Sequence, residues 1–105
     1  MTDDGHADGI AILIVAACFP MGRVVATPGA LDAISHAGHV PEELLSRHCT
    51  CDWGDLSESD HAQNNFALTA GGRLFSAYHL ADGTKVWVIT EWDRSVTTIL
   101  LPEEY

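Results

Sequence analysis

The sequence predicts a small α+β domain in which three helices pack on one face of a mainly antiparallel sheet of about four to five strands, in the order β-α-α-α-β-β-β. A chain of 105 residues holds a single domain, and an apolar fraction of 47% is enough to bury a core. In the middle third, apolar residues recur at helical spacing between capping signals. In the last third they alternate between two faces and are separated by turn sequences.

The first predicted elements are a short strand and a helix. The strand covers residues 22–26 and runs into Thr27 and Pro28. Threonine caps helices well and proline suits their first turn, so a helix is predicted over residues 28–37. Gly38 is suited to the position that follows a helix end.

Two more helices are predicted before the spacing of the apolar residues changes from helical to strand-like in the last third of the chain. Pro41 begins one of them, with carboxylates in its first turn, with Leu44, Leu45 and His48 on one side, and with an end near residue 49. Ser57 has the spacing of a capping box and opens the next helix, which runs to about residue 68. The glycines at 71 and 72 break it.

Three strands complete the predicted sheet. They are expected over residues 73–80, 85–91 and 95–101. Asp82 and Gly83 are the pair favoured in tight hairpins, and Asp93 and Arg94 form the next turn. Carboxylates that flank an arginine in such a turn are typical of solvated local ion pairing.

The tryptophans are candidates for the core or for a partner surface. Trp87 lies in an alternating strand and points to the face opposite Val86 and Val88. We expect Trp53 and Trp87 to be core residues and Trp92 to anchor a turn. An exposed tryptophan would instead indicate a protein partner.

Residues 1–20 differ from the rest in composition, because an acidic start that contains glycine is followed by an apolar run ending at Pro20. Residues 21–105 are predicted to form the single α+β domain. Two interpretations of residues 1–20 stay open: a leader or an extra N-terminal strand. The apolar run over residues 10–19 is about half the length of a membrane-spanning helix, so no membrane association is expected. The residues before it are acidic, whereas a secretory signal needs positive charge there.

The cysteines are consistent with a cytoplasmic protein. There are three of them, Cys18, Cys49 and Cys51, and the last two are too close in sequence to bridge each other easily. A disulfide framework is therefore not expected, and reduced thiols are typical of the cytosol.

The net charge of −10 excludes nucleic acid and anionic membranes as direct ligands on electrostatic grounds. The same charge suits a protein partner with a basic, nucleic-acid-binding groove, because such a groove attracts any polyanion. The alternative is a surface that serves only solubility. The predicted partner-binding residues are Asp52, Asp55, Glu58 and Asp60, followed by Glu91 and Asp93, with Glu103 and Glu104 sharing the same sheet edge as the last two.

No catalytic residue, cofactor or bound metal is predicted. The densest group of possible metal ligands is His36, His39, His48, Cys49 and Cys51, but zinc sites usually show paired ligands at fixed spacing, which this group lacks. The other interpretation makes the histidines surface residues near helix ends and the thiols small apolar fillers. Adjacency of His48 and Cys49 in sequence does not give the geometry of a nucleophile and its base.

Several segments resemble a family of small proteins of bacterial plasmids and other mobile genetic elements. They are residues 22–31, 52–56, 82–91 and 93–102, and the resemblance covers residues 21–105. Some members of the family are named as type I restriction subunits, although this chain is far too short for a methyltransferase. The resemblance implies no catalytic residue. It implies a setting similar to that of anti-CRISPR and anti-restriction proteins.

We therefore expect a non-enzymatic acidic inhibitor that acts as a DNA mimic, blocks DNA access to a type I CRISPR surveillance complex and protects phage. A monomer is favoured. The alternatives are an anti-restriction or regulatory partner-binding protein, a small metal-binding module, or a hydrolase. A partner bound through apolar tryptophan contacts would bind independently of salt.

Overall fold

The computed structural model of the protein describes residues 17–105. The leader or extra strand predicted for residues 1–20 therefore lies outside the described residues, apart from residues 17–20. The described part has the predicted order β-α-α-α-β-β-β. Its helices are Pro28–His36 (α1), Pro41–Cys49 (α2) and Glu58–Ala70 (α3), and its strands are Arg23–Ala26 (β1), Leu74–His79 (β2), Lys85–Thr90 (β3) and Val96–Leu100 (β4), followed by a 3-10 helix over Pro102–Glu104.

Two helices begin at the side-chain caps that the sequence predicts. Thr27 Oγ1 accepts a hydrogen bond from the backbone N–H of Ala30 at 3.0 Å, and Ser57 Oγ accepts one from the N–H of Asp60 at 3.2 Å. Each cap satisfies an N–H group that has no partner inside its helix. The third helix ends at residue 70, slightly beyond its predicted end.

The first two helices end in the same way but with different residues. After α1 the chain turns at Gly38, with a φ of +83°, as predicted. After α2 it turns at Cys51, with a φ of +69°. In both turns the N–H of the turning residue and the N–H of the residue after it donate to carbonyls of the last helical turn. Glycine adopts this conformation freely, whereas a cysteine there is strained.

The four strands form one mixed sheet in the order β1-β4-β3-β2. The strands β2, β3 and β4 pair antiparallel, and β1 pairs parallel with β4, which confirms the mainly antiparallel prediction. Beyond β2, Gly54 forms an isolated bridge to Ala77. The Asn64 side chain accepts from the N–H of Phe75 at 3.0 Å and donates to its carbonyl at 2.7 Å. These contacts cover the outer edge of β2, which would otherwise expose unpaired backbone groups.

All three helices pack against one face of the sheet, as predicted. The larger core cluster is Ala30, Ile34, Leu44, Tyr78, Leu80, Val86, Val88 and Ile99. The smaller is Phe19, Trp53, Ala67 and Leu74. Each large apolar side chain buried in this way contributes on the order of 1.5–3 kcal/mol before conformational entropy is counted.

The prediction for the tryptophans is confirmed only for Trp53, which is 2% exposed in the core. Trp87 lies on the face opposite the three helices, half-buried, with its ring centroid 5.0 Å from that of Phe75 and 5.8 Å from that of Tyr105. It is therefore not a core residue between sheet and helices. Trp92 is 69% exposed, so its prediction as a turn anchor is wrong.

Gly54 is the position where the fold most needs a glycine. Its φ is +77°, and a Cβ built there would lie 2.1 Å from the carbonyl oxygen of Ala77. We expect Gly54→Ala to lower the free energy of unfolding by roughly 3 kcal/mol or more, because the bridge to β2 must shift. Gly83→Ala is the matched control: its φ is +90° and no atom lies within 4 Å of the added Cβ.

In the control only the backbone strain remains, so we expect a loss of about 1 kcal/mol. Urea denaturation of both variants at one temperature measures the difference. Equal losses would show that the contact between residue 54 and β2 does not contribute to stability.

Candidate functional site

The first of the predicted partner-binding carboxylates, Asp52, lies directly after α2 and is paired. Its Oδ2 accepts a hydrogen bond from Arg47 Nε at 2.7 Å, and its Oδ1 accepts from Arg47 Nη2 at 3.3 Å. The backbone N–H of Gly54 donates to the same Oδ1 at 3.1 Å. The hydrogen bond from Arg47 is the main cause that lowers the pKa of Asp52. Asp52 is thus ionised at neutral pH and fixed beside a cation.

Tyr78 holds this pair against the sheet. The Arg47 guanidinium lies 4.4 Å from the centroid of the Tyr78 ring, an attractive arrangement of cation and ring. The Tyr78 hydroxyl donates to the backbone carbonyl of Asp52 at 2.6 Å, and burial raises its pKa. The loop that begins at Asp52 therefore has a defined position.

The next carboxylate, Asp55, contacts the end of β2. Its Oδ2 lies 2.7 Å from Nδ1 of His79. The sequence between residues 52 and 60 contains no Lys or Arg, but the fold brings Arg47 and His79 to this segment. Two of its four carboxylates therefore have cationic or protonatable partners that the linear sequence does not show.

The other two carboxylates, Glu58 and Asp60, are exposed in the first turn of α3. Negative charge is favourable at the N-terminal end of a helix because of the helix dipole. Among residues 17–105, neither forms an ion pair. They are the carboxylates of this segment whose charge is presented to solvent without compensation.

The second predicted group, Glu91 and Asp93, lies at the other end of β2 and β3. Glu91 pairs with Arg73 at 3.6 Å, and Asp93 Oδ1 accepts from the backbone N–H of Ser95 at 3.0 Å. The Ser95 hydroxyl and N–H lower the pKa of Asp93. Since β2 spans six residues, this group and Asp55 are separated by roughly 17 Å along the strand.

The predicted sharing of one sheet edge by this group and the C-terminal carboxylates is wrong. Glu104 accepts a hydrogen bond from Thr27 Oγ1 at 2.6 Å, at the start of α1. That bond and the N–H of Leu101 lower the pKa of Glu104. Because β4 begins beside Glu91 and ends before Pro102, the two pairs of carboxylates lie at opposite ends of that strand.

Arg94 does not take part in the local ion pairing predicted for this turn. Its guanidinium donates to the backbone carbonyls of Gly72 at 2.6 Å, of Ala67 at 3.0 Å and of Glu91 at 3.2 Å. These carbonyls lie at the end of α3 and in the turn itself, where a cation is favourable. Arg94 therefore ties the β3–β4 turn to α3.

A cleft of about 400 Å³ lies between α2 and the end of β2, next to Asp55. Within it, His39 Nδ1 lies 2.9 Å from Glu43 Oε1, and the backbone N–H of Ala81 donates to His39 Nε2 at 3.1 Å. Because Nε2 accepts, the proton of the neutral ring is on Nδ1 and is donated to Glu43. The lining also includes Arg47, His79 and the apolar Leu44 and Leu80, so charged and protonatable groups stand at the edge of a largely apolar cleft.

A chain of buried hydrogen bonds connects α2 to the sheet behind this surface. His48 Nδ1 lies 2.6 Å from Ser76 Oγ and His48 Nε2 lies 2.9 Å from Thr90 Oγ1. Thr90 Oγ1 lies 2.7 Å from Thr97 Oγ1, which donates to the carbonyl of Met21 at 2.7 Å. A carbonyl only accepts, so Thr97 accepts from Thr90, Thr90 from Nε2–H, and Nδ1 from Ser76.

The interpretation of the histidines as surface residues is therefore wrong for His48, which is fully buried. Its ring also meets Phe19 and Trp53 edge-on, and burial lowers its pKa to about 4. The signal was present in the sequence, because His48 shares a helix side with Leu44 and Leu45. A hydrogen-bonding residue on an apolar helix side is buried only if the sheet supplies partners, and these are distant in sequence.

The contact between Ser76 and His48 has the atoms of a nucleophile and a base but not the access. Both side chains are 0% exposed, so no substrate reaches the serine hydroxyl. The bond is structural. This geometry gives no support to the hydrolase alternative.

The possible metal ligands do not converge. Within the described part of the chain, no group of three His, Cys, Asp or Glu side chains is arranged to hold a metal ion. His39 is bonded to Glu43 and Ala81, and the buried Cys49 thiol donates to the carbonyl of Ser46 at 3.5 Å.

No family model, curated protein or solved structure matches this chain. The resemblance to mobile-element proteins therefore stays a prediction from the sequence. Among the described residues no helix has the length and apolar character needed to cross a membrane.

The buried His48 predicts a loss of stability in mild acid. Its pKa is about 4 in the fold and about 6.5 in an unfolded chain, so between these values the unfolded chain binds the additional proton. We expect the free energy of unfolding to have its full value above pH 6.5. Below this pH it should fall by about 1.4 kcal/mol per pH unit towards pH 4. The total loss is on the order of 3 kcal/mol.

Urea denaturation between pH 6.5 and 5 measures this slope before most carboxylates titrate. His48→Gln keeps a donor and an acceptor but cannot ionise, so we expect it to be less stable at pH 7 and to lack most of the slope. A wild-type curve that stays flat, or an equal slope in His48→Gln, would contradict the assignment.

Proposed function

We propose that the protein is a non-enzymatic inhibitor from a mobile genetic element, which binds a host defence complex and blocks its access to DNA. The partner we favour is a type I CRISPR surveillance complex. The observation that carries the proposal is the exposed carboxylates of Glu58 and Asp60, which form no ion pair with any other residue between 17 and 105, beside the fixed loop of Asp52 and Asp55 on a chain of net charge −10. This segment is called the acidic segment below.

The physical basis is the field of a DNA-binding groove. Lysines and arginines in such a groove replace the counterions of phosphates, and they attract another polyanion by the same long-range interaction. The bonds from Arg47 and Tyr78 to Asp52 hold the acidic segment in place before binding, so less conformational entropy is lost on association. Glu91 and Asp93, roughly 17 Å away along β2, supply a second contact along the groove.

Neutralising the acidic segment is expected to weaken inhibition strongly. The variant is Asp55→Asn, Glu58→Gln and Asp60→Asn together, while Asp52 stays because its pair with Arg47 supports the loop. We expect inhibition to fall by roughly tenfold or more, since close charge pairs across an interface contribute strongly to association. The measurement is phage plaquing on cells with type I CRISPR immunity, with binding to the purified complex followed at several salt concentrations.

The control has the same net charge but a different location. It carries Asp32→Asn, Glu42→Gln and Glu103→Gln, all exposed and outside the acidic segment. We expect it to inhibit almost as well as the wild type. An equal loss of inhibition in both variants would show only a non-specific effect of net charge. Full inhibition by the first variant would refute the acidic segment as the binding site.

A second candidate function is an anti-restriction or regulatory protein that binds its partner through apolar contacts. It is favoured by a groove of about 310 Å³ on the sheet face opposite the helices, lined by Arg73, Phe75, Trp87, Ile89 and Tyr105. Separately from the groove, Trp92, two residues after the end of β3, is 69% exposed. Tryptophan, tyrosine and arginine are the residues most enriched at binding hot spots.

For this candidate, Trp92→Ala is expected to weaken partner binding by roughly tenfold, with little dependence on salt. Phe66→Ala is the control, because Phe66 on α3 is similarly exposed at 70%. Calorimetric titration with the purified defence complex at low and high salt measures both. Unchanged binding by Trp92→Ala, or a steep loss of wild-type binding with salt, would contradict an apolar interface.

A further inference from the structure

Two cysteines that are far apart in sequence lie on segments that a backbone hydrogen bond holds together. Cys18 is exposed and Cys51 is partly exposed, and the proximity of the Cys18 thiol contributes to raising the pKa of the Cys51 thiol. The backbone holds them there, since the N–H of Cys18 donates to the carbonyl of Cys49 at 2.7 Å. The tight spacing that disfavours a bridge between Cys49 and Cys51 does not apply to Cys18 and Cys51.

Cys51 occupies the strained position after α2. Its N–H bonds to the carbonyl of His48 at 3.1 Å, and the N–H of Asp52 bonds to the carbonyl of Arg47 at 2.9 Å, with a φ of +69° at Cys51. This is the helix-ending motif that glycine usually completes. The equivalent position after α1 holds Gly38. The motif fixes the backbone of Cys51 beside the segment that carries Cys18.

The third cysteine is buried. Cys49 is 1% exposed, and its thiol donates to the carbonyl of Ser46 at 3.5 Å. A buried thiol bonded to its own helix is shielded from solution oxidants.

From this arrangement we propose that Cys18 and Cys51 form a modification site, in which hydrogen peroxide oxidises the two thiols to an intramolecular disulfide. The bridge joins the segment before β1 to the end of α2. For the bridge to form, the two sulfurs have to approach to about 2.05 Å. The proposal does not depend on the proposed function.

The reaction has two steps. The exposed Cys18, as thiolate, attacks peroxide; the O–O bond breaks, hydroxide leaves, and Cys18 becomes a sulfenic acid. The Cys51 sulfur then attacks the Cys18 sulfur, the S–O bond breaks, and the Cys51 proton leaves with the hydroxyl as water. Overall two thiols lose two electrons and two protons, and one peroxide becomes two waters. Burial raises the pKa of Cys51 to about 12, so little of this thiol is ionised at neutral pH and the second step is the slower one.

The disulfide would restrain the first core residue, Phe19, relative to the end of α2. Phe19, next to Cys18, packs against His48 and Trp53, and Asp52, next to Cys51, begins the acidic segment. Oxidation would therefore lock the Phe19 contact and the start of the acidic segment together. Closing this long loop restricts the unfolded chain, so the oxidised protein should melt at a temperature higher by roughly 5 °C or more.

The experiment treats the reduced full chain with one equivalent of hydrogen peroxide. Intact mass and non-reducing peptide mapping then identify the product, and melting is measured with and without a thiol reductant. We expect a monomer lighter by two hydrogen atoms, a cross-link between the peptides of Cys18 and Cys51, and a rise in melting temperature that the reductant reverses.

Three variants make the result specific. Cys51→Gly should lose the cross-link while melting at or above the wild-type temperature in the reduced state, because glycine relieves the strain at this φ. Cys18→Ser should also lose the cross-link, and Cys49→Ser should keep it. A cross-link through Cys49, an intermolecular dimer, oxidation of the thiols without a cross-link, or a cross-linked product in Cys51→Gly would overturn the proposal.

Discussion

The hydrogen-bond chain through the buried His48 imidazole is the interaction on which the arrangement of helix and sheet depends. It joins α2 to β2, β3 and β4 and ends at the carbonyl of Met21. All four of its side chains are 0% exposed, so water cannot replace a lost partner, and each unsatisfied group would cost about 1–3 kcal/mol. The chain permits one set of proton positions. It therefore fixes where α2 sits, and with it the loop that starts at Asp52.

The cations of this acidic protein are used mainly to hold the structure together. Arg47 fixes Asp52 and packs over Tyr78, Arg94 joins the β3–β4 turn to α3 through carbonyl groups, and Arg73 pairs with Glu91. With only five Lys and Arg against fifteen Asp and Glu, carboxylates such as Glu58 and Asp60 are left facing solvent. The electrostatic field outside the protein is negative because the positive charges are few and locally engaged.

Most of the fold was predictable because its signals are local. Thr27 and Ser57 are caps that act within one helical turn, and the alternation over residues 85–91 defines a strand by its own period. The candidate site was less predictable. The sequence between residues 52 and 60 offers no cation to pair with its carboxylates. In the fold, however, Asp52 bonds to Arg47 and Asp55 contacts His79. Ion partners, unlike caps, are chosen by which elements the fold brings together.

The sequence by itself determined the order of elements, the caps, the turns and the net negative charge, because each depends on residues within a few positions or on composition alone. Only the tertiary structure decided the environment of single side chains. It buried His48 among hydroxyls from three strands, exposed Trp92, and bonded the backbone of Cys18 to the end of α2. The reason is physical: burial and pairing depend on contacts between distant segments, and no local pattern specifies which segments will pack together.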